Sequence, residues 1–550
     1  MRKMKRLFIL SFCLVVGNAL FAQSIADGKK FLDYEKYQSA KNVFSKLVAA
    51  NPNDPEATYW LGQAYLQNDD YRDTTTARNL YQKALQATPN QPLLMAGMGE
   101  VQLMLGNKTD ARNTFETAIG LASKKDIVEV LKAIARANID TKDGDAVYAI
   151  SKLQIADDKN KRDKDAEIDV LLGNAYRKMV DGSNATKAYQ EALQIDPKDA
   201  RADFMIGRIF QTQGIGQEPI YMADYNNAIA ADPNFAPVYY WLYTYYYERD
   251  VNKAREYLNK YIALADPSSK NCYLQASLLY VSQLYKDAIT QADQCLTQAG
   301  DSAYPNLYGL KAYSYDKLGD SLNAKKYFDE FFQKINPDKI GPKDYETYGQ
   351  LLLKFPGNDS LAEIYIDKAV EIDTTKENKM KYLKNTATLY AQEKNYAEAG
   401  KWYTKILKLD SNFGKVELYY AGYDNYLGSN YNTADSIFKI YQVKFPDDIL
   451  GWYLDARSEE GLDSTGVHGL AKDAYAHVIA IGDTTQDSER VKPYVLVACK
   501  YMLAYAYNIQ KDVCTALQWN NKILKLDPTD ANAIQNKDPL AKAALKAKCK

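Results

Sequence analysis

The sequence predicts an all-α fold, a solenoid of stacked antiparallel helix pairs. Three observations point there. A fixed rhythm of small, aromatic and proline residues recurs along the 550 residues. Within each copy, apolar residues fall at helical spacing in two short segments separated by a polar or glycine-containing turn. The chain also carries 46 tyrosines against 16 phenylalanines. Tyrosine buries a ring while keeping a hydroxyl for water or a hydrogen bond, which suits an architecture with much half-buried surface.

The rhythm is clearest over residues 166–199. Gly173 is followed twelve residues later by Ala185, then by Tyr189, Ala192 and Pro197. The same order runs Gly28, Ala40, Phe44, Leu47, Pro52, and again Gly422, Ala434, Phe438, Tyr441, Pro446. It recurs as Gly99, Ala111, Phe115, Ala118 and as Ala504, Ala516, Asn520, Ile523, Pro528. The small residue on each helix lets two backbones approach. The aromatic fills space toward the next unit, and the proline stops the second helix because it cannot continue the hydrogen-bond ladder. One pair cannot bury its own apolar face, so the pairs must stack.

With Leu61-Gly62 and Tyr65, Leu172-Gly173 and Tyr176, and Ile206-Gly207 and Phe210 in register, the pattern resembles the tetratricopeptide repeat. The resemblance implies a right-handed superhelix whose concave side is lined by the first helix of each pair. About fourteen copies are expected over residues 23–530, with irregular stretches near 211–220, 337–343 and 460–470. Residues 531–550 are expected to form a helix that caps the open end, as terminal units of a stack must.

The amino terminus reads differently. Arg2, Lys3, Lys5 and Arg6 precede an apolar run from Leu7 to Val16 and a small-residue stretch ending at Ala22. That is the layout of a secretory signal peptide, with cleavage expected after Ala22 and, as the alternative, after Ala19. Its removal takes Lys plus Arg from 69 to 65 against 70 acidic residues, a net charge of −5. Charges of both signs are interleaved and no basic stripe stands out, so nucleic acid is not an expected partner. No later segment is apolar enough to span a membrane. Five cysteines follow the signal. An odd count without CxxC spacing reads mainly as buried free thiols, with Cys272 and Cys295 the one pair singled out as a candidate disulfide.

Chemistry-bearing patterns are missing. The two histidines, His468 and His477, have no ligand spacing around them, and no metal or cofactor is expected. The Asp-Ser and Asp-Thr steps at Asp73, Asp301, Asp320, Asp359, Asp373, Asp435, Asp463 and Asp483 read mostly as helix caps. They also look like the acceptor of envelope O-glycosylation systems.

The tyrosines carry the functional expectation. Tyr419, Tyr423 and Tyr426 share one helix face. The equivalent face elsewhere offers Tyr240, Tyr247, Tyr273, Tyr280, Tyr313, Tyr453, Tyr501 and Tyr505. The expected function is an exported scaffold, periplasmic or on the surface of a Gram-negative cell, that binds a protein or peptide along this groove without catalysing a reaction. Two alternatives stand beside it: a glycan-binding component of an outer-membrane uptake system, and an enzyme with its site in the irregular stretch 455–495.

Overall fold

Short acidic side chains start the helices. Asp54 accepts hydrogen bonds from the Glu56 and Ala57 amides at 2.9 and 3.1 Å, and Asp165, Asp199 and Asp448 cap their helices in the same way. Each supplies an acceptor to amides that have no intrahelical partner. The computed structural model describes residues 24–410, 413–486 and 488–549, and the expected signal peptide with Ala22 lies outside them. The described residues form an all-α fold of 29 α-helices with no strand. None of these helices is long and apolar enough to cross a membrane.

The packing unit is a ring laid on a glycine. A Cβ on Gly173 would stand 2.4 Å from the Tyr189 ring, and one on Gly422 would stand 2.6 Å from the Phe438 ring. Gly28 with Phe44, Gly62 with Tyr81, and Gly99 with Phe115 repeat the arrangement. Ala40, Ala111, Ala185, Ala434 and Ala516 are fully buried one turn before the ring position. The ring therefore seats first on its own pair, and only beyond that does Tyr189 join Ala202 and Ile206 of the next. Where the ring is tyrosine, its hydroxyl reaches a polar group on the first helix. Tyr189 donates to Asn174 at 2.6 Å, and Tyr81 to the Tyr59 carbonyl at 2.9 Å. This accounts for part of the tyrosine excess, because a buried hydroxyl needs such a partner.

The last pair departs from the pattern. Counting back twelve residues from Ala516 lands on Ala504, which is exposed, while Ala506 is the buried residue that meets Ala516 and Leu540. The segment Tyr505–Ile509 is a π-helical turn. Its wider winding changes which side chains face the second helix, so Ala506 takes the buried place. Asn520 stands where other pairs have a ring. It is fully buried and donates to the Ala533 carbonyl at 3.0 Å, holding the terminal helix Ala531–Lys546.

Two further expectations are corrected. Cys272 is bonded to Cys295 and Cys514 to Cys549, leaving Cys499 as the buried free thiol among the described residues. The second bond was hidden because its partners meet only after the terminal helix folds back. Among the Asp-Ser and Asp-Thr steps, Asp73 and Asp320 cap helices, but Asp435 and Asp483 lie inside helices and Asp463 follows one. The Gly214–Gly216 stretch is a turn with a short 3-10 segment at Ile215–Gln217.

The chain divides at Leu318 and Gly319 into two units. The first holds eight helix pairs, from Ile25–Asp33 with Tyr37–Ala50 to Ser269–Val281 with Tyr285–Ala299, followed by the helix Asn306–Lys317. The second opens with the helix Ser321–Lys334, continues with five pairs and closes on Ala531–Lys546.

The turn inside a pair needs a left-handed residue, and it comes seven positions after the small one. Glu35, Gly106, Val180, Ser429 and Lys511 all have φ between 57° and 82° there. Val180 is the costly choice, because a β-branched side chain strains this conformation. It is also 92% exposed, so little packing depends on it. Val180→Gly is expected to stabilise the first unit by about 1 kcal/mol. A lower denaturant midpoint in the variant would contradict that.

Candidate binding surfaces

In the first unit the concave side closes on itself. Asp266 accepts from the Gln38 and Ser39 amides at 2.8 and 3.0 Å and from the Ser39 hydroxyl at 2.6 Å. Lys270 Nζ lies 2.6 Å from Asp70, and Arg201 lies 3.1 Å from Asp33. Tyr34 donates to Asp232 and sets its ring against Phe235 at 6.3 Å. These contacts bring the first two pairs onto the sixth to eighth. They border a half-open cavity of about 560 Å³ lined by first-helix residues such as Lys29, Trp60, Glu100, Arg136, Asn174 and Arg201. The first helices line the concave side, and here they form a chamber with one side open.

The chamber is charged throughout. Arg136 pairs with Glu167 at 2.8 Å and lies 4.9 Å over the Trp60 ring. Arg201 pairs with Glu167 at 2.8 Å and with Asp199 at 2.7 Å. Glu100 has no exposed surface; one oxygen accepts from Gln63 and the other has no partner. Burial pushes the Glu100 carboxyl up to about 7. None of these side chains stands out in the sequence by itself. The available signal was the residue after the small one of each first helix: Lys29, Gln63, Glu100 and Asn174 are polar there, whereas Tyr423 is aromatic.

The tyrosines expected in the groove are all half-buried. In the first unit they pack between helices. Tyr240 sits 5.2 Å from Tyr261, Tyr247 donates to the Ser277 carbonyl at 2.8 Å, and Tyr273 lies against Tyr304 at 5.3 Å. Tyr280 contacts Tyr285 and Tyr313. In the second unit they form a row across successive first helices. Tyr419 and Tyr423 stack at 5.5 Å, and Tyr453 meets Tyr494 at 4.8 Å. Tyr501 touches Tyr475 and Tyr505. The Tyr426 hydroxyl accepts from Arg457 at 3.3 Å. Tyr419 also borders an open depression of about 800 Å³ with Tyr420, Lys415, Lys444 and Arg490 on its rim. Tyr494 and Tyr420 complete this surface and were missed, because neither occupies the spacing of the other copies.

Asp435, Asp455 and Glu459 converge with oxygens within 4.8 Å of one another, and Lys439 Nζ lies 2.6 Å from Asp435. Burial raises the Asp455 carboxyl to about 7, and Gln442 holds its other oxygen at 2.6 Å. A proton and the lysine together offset the clustered charge.

Tetratricopeptide repeat models match residues 26–92, and again 167–199, 305–333 and 385–413. The chain carries tetratricopeptide repeats over these residues. Within this repeat protein the matched stretch 167–199 contains the Gly173, Ala185 and Tyr189 seat described above. Similar solved structures include the C-terminal part of a TPR repeat-containing protein from Cytophaga hutchinsonii. It is 26% identical over 48% of this chain and 98% of that one, with a TM-score of 0.32. A tetratricopeptide repeat protein from Parabacteroides merdae is 18% identical over 46% of this chain and 96% of that one, with a TM-score of 0.38. The TPR domain of P58(IPK) is 14% identical over 62% and 98%, with a TM-score of 0.19. No curated protein matches the sequence.

Glu100 gives the chamber a pH signature. Its folded carboxyl titrates near 7, above the ordinary range, because burial disfavours the charge beside Gln63, Asp140, Arg136 and Arg72. The folded chain therefore binds an extra proton, and this contribution to stability is lost as pH rises from about 4.5 to 7. Glu100→Gln is expected to be more stable than the wild type at pH 8, by on the order of 1–3 kcal/mol. The gap should narrow toward pH 5, as read from melting curves at each pH.

Proposed function

We propose that this protein is an exported scaffold that binds a partner polypeptide along the tyrosine row of its second unit. The observation that carries the reading is the continuity of the row: Tyr419 and Tyr423, then Tyr453, then Tyr494 and Tyr501 stand on three successive first helices. Tyrosine offers wide contact area with few torsions to freeze, which favours it at binding hot spots. Tetratricopeptide repeats suggest a protein-interaction scaffold in general. The depression beside Tyr419 adds Tyr420, Phe445, Ile449 and Leu450 as apolar contact area with charges of both signs around them.

Export is supported by two disulfides, which persist in oxidising compartments, and by the charged and then apolar start of the sequence. Mass spectrometry of protein from the envelope fraction is expected to find the mature chain starting at Gln23. A cytoplasmic protein retaining Met1 would remove the assignment.

The binding surface is tested by replacing Tyr419, Tyr423 and Tyr426 together with Ser. Partner capture from the envelope is expected to weaken by several kcal/mol while helix content is retained. A lowered melting temperature with binding unchanged per folded molecule would show that these rings serve the fold alone.

A further inference from the structure

The chamber of the first unit has a charge imbalance that its own residues leave open. Four cationic side chains line it, and each is already engaged. Arg201 is held by Asp33, Glu167 and Asp199, and Arg136 by Glu167. Arg72 is held by Asp69, and Lys29 lies 4.9 Å over the Trp60 ring. Six carboxylates line the same chamber: Asp33, Glu35, Asp69, Glu100, Asp140 and Glu167. With all of them ionised, two negative charges are in excess. Glu35, Glu100 and Asp140 have no cation within ion-pair range among the described residues. Glu100 is the sharpest case, because it is fully buried and one of its oxygens meets no donor. A buried acceptor left without a partner costs free energy that a bound donor recovers.

Size and shape narrow what such a donor can be. A volume of about 560 Å³ is within the range that takes small molecules. It is too small for a peptide helix, whose diameter with side chains is about 10–12 Å. Tyr37, Trp60 and Phe204 give the walls apolar area as well as charge. An anion would meet the excess carboxylates, and a neutral apolar ligand would strand them.

We infer that the half-open chamber of the first unit is a binding site for an organic cation, an ammonium or guanidinium group received by Glu35, Glu100 and Asp140. Two sources share that chemistry: a free polyamine, and a lysine or arginine side chain presented by an extended peptide. Ionised carboxylates are required, so binding is strong above the range where Glu100 titrates and fails below it. Asp33 lines the same space and burial raises its carboxyl to about 6, while the Tyr37 hydroxyl and the Arg136 guanidinium are raised above their ordinary values, so the carboxylates dominate the pH response.

The test is calorimetry on the full chain at pH 8 and pH 5.5, with spermidine and with a Gly-Arg-Gly tripeptide as probes and sodium phosphate as the anionic control. Saturable binding of one equivalent at pH 8 is expected for at least one cation, weakened tenfold or more at pH 5.5, with no response to phosphate. Spermidine alone binding assigns a free polyamine, and the tripeptide alone binding assigns a basic side chain. Glu100→Gln keeps the shape and the Gln63 contact, and Asp140→Asn is a second variant at an exposed position. Both are expected to weaken binding at least tenfold while circular dichroism stays unchanged. If neither cation binds at pH 8, or if both variants bind as the wild type does, the inference is overturned.

Discussion

The seat of an aromatic ring on a glycine is the contact on which the rest of the structure depends. Gly173 under Tyr189 and Gly422 under Phe438 set how closely the two helices of a pair approach. Any side chain at the glycine would occupy the ring's own space, so the helices would have to part. That spacing fixes where the first helix of each pair presents its other face. The surface lining the concave side is therefore inherited from the seat, and the residue next to the glycine is carried to the same place in each copy.

This division lets one scaffold carry two unlike surfaces. In the first unit the position after the glycine holds Lys29, Gln63, Glu100 and Asn174, and the concave side becomes a charged chamber. In the second unit the equivalent position holds Tyr423, which continues into a row of stacked rings. The buried faces of the two are nearly interchangeable. The difference in chemistry lies in side chains that the packing leaves free to vary.

Much of the fold was legible in the sequence because its determinants are local. The twelve-residue interval from Gly173 to Ala185 and the proline stops are set within one pair, so a reader of the chain meets them in order. Ala504 misled because the chain passes from α-helix into a π-turn at Tyr505–Ile509, where Ala506 and not Ala504 faces Ala516, and an interval counted along the chain cannot register that. Cys514 and Cys549 gave no signal for a similar reason, since 35 residues separate them and the helix carrying the second folds back. The tyrosine face at Tyr419 and Tyr423 followed from helical spacing. The chamber did not, since Glu100 and Arg136 acquire their roles only from residues brought round by the curvature of the whole unit.

The closing contacts of the first unit join residues far apart in the chain. Lys270 and Asp70 are 200 positions apart, and Gln38 and Asp266 are 228. Stacked repeats otherwise depend on neighbours and can form from any starting point. Contacts of such sequence separation carry a large loop-closure entropy until the intervening pairs are ordered. The seam between the first pairs and the sixth to eighth is therefore the last part of the unit to form and the first to open. A nascent chain that has emerged only as far as its fifth pair holds ordered helices but no seam to Asp232, Asp266 or Lys270. The chamber's lining ends at Phe235 and Pro237, so the chamber exists only once the seventh pair has begun to form, and an occupied chamber reports that the chain has folded at least that far.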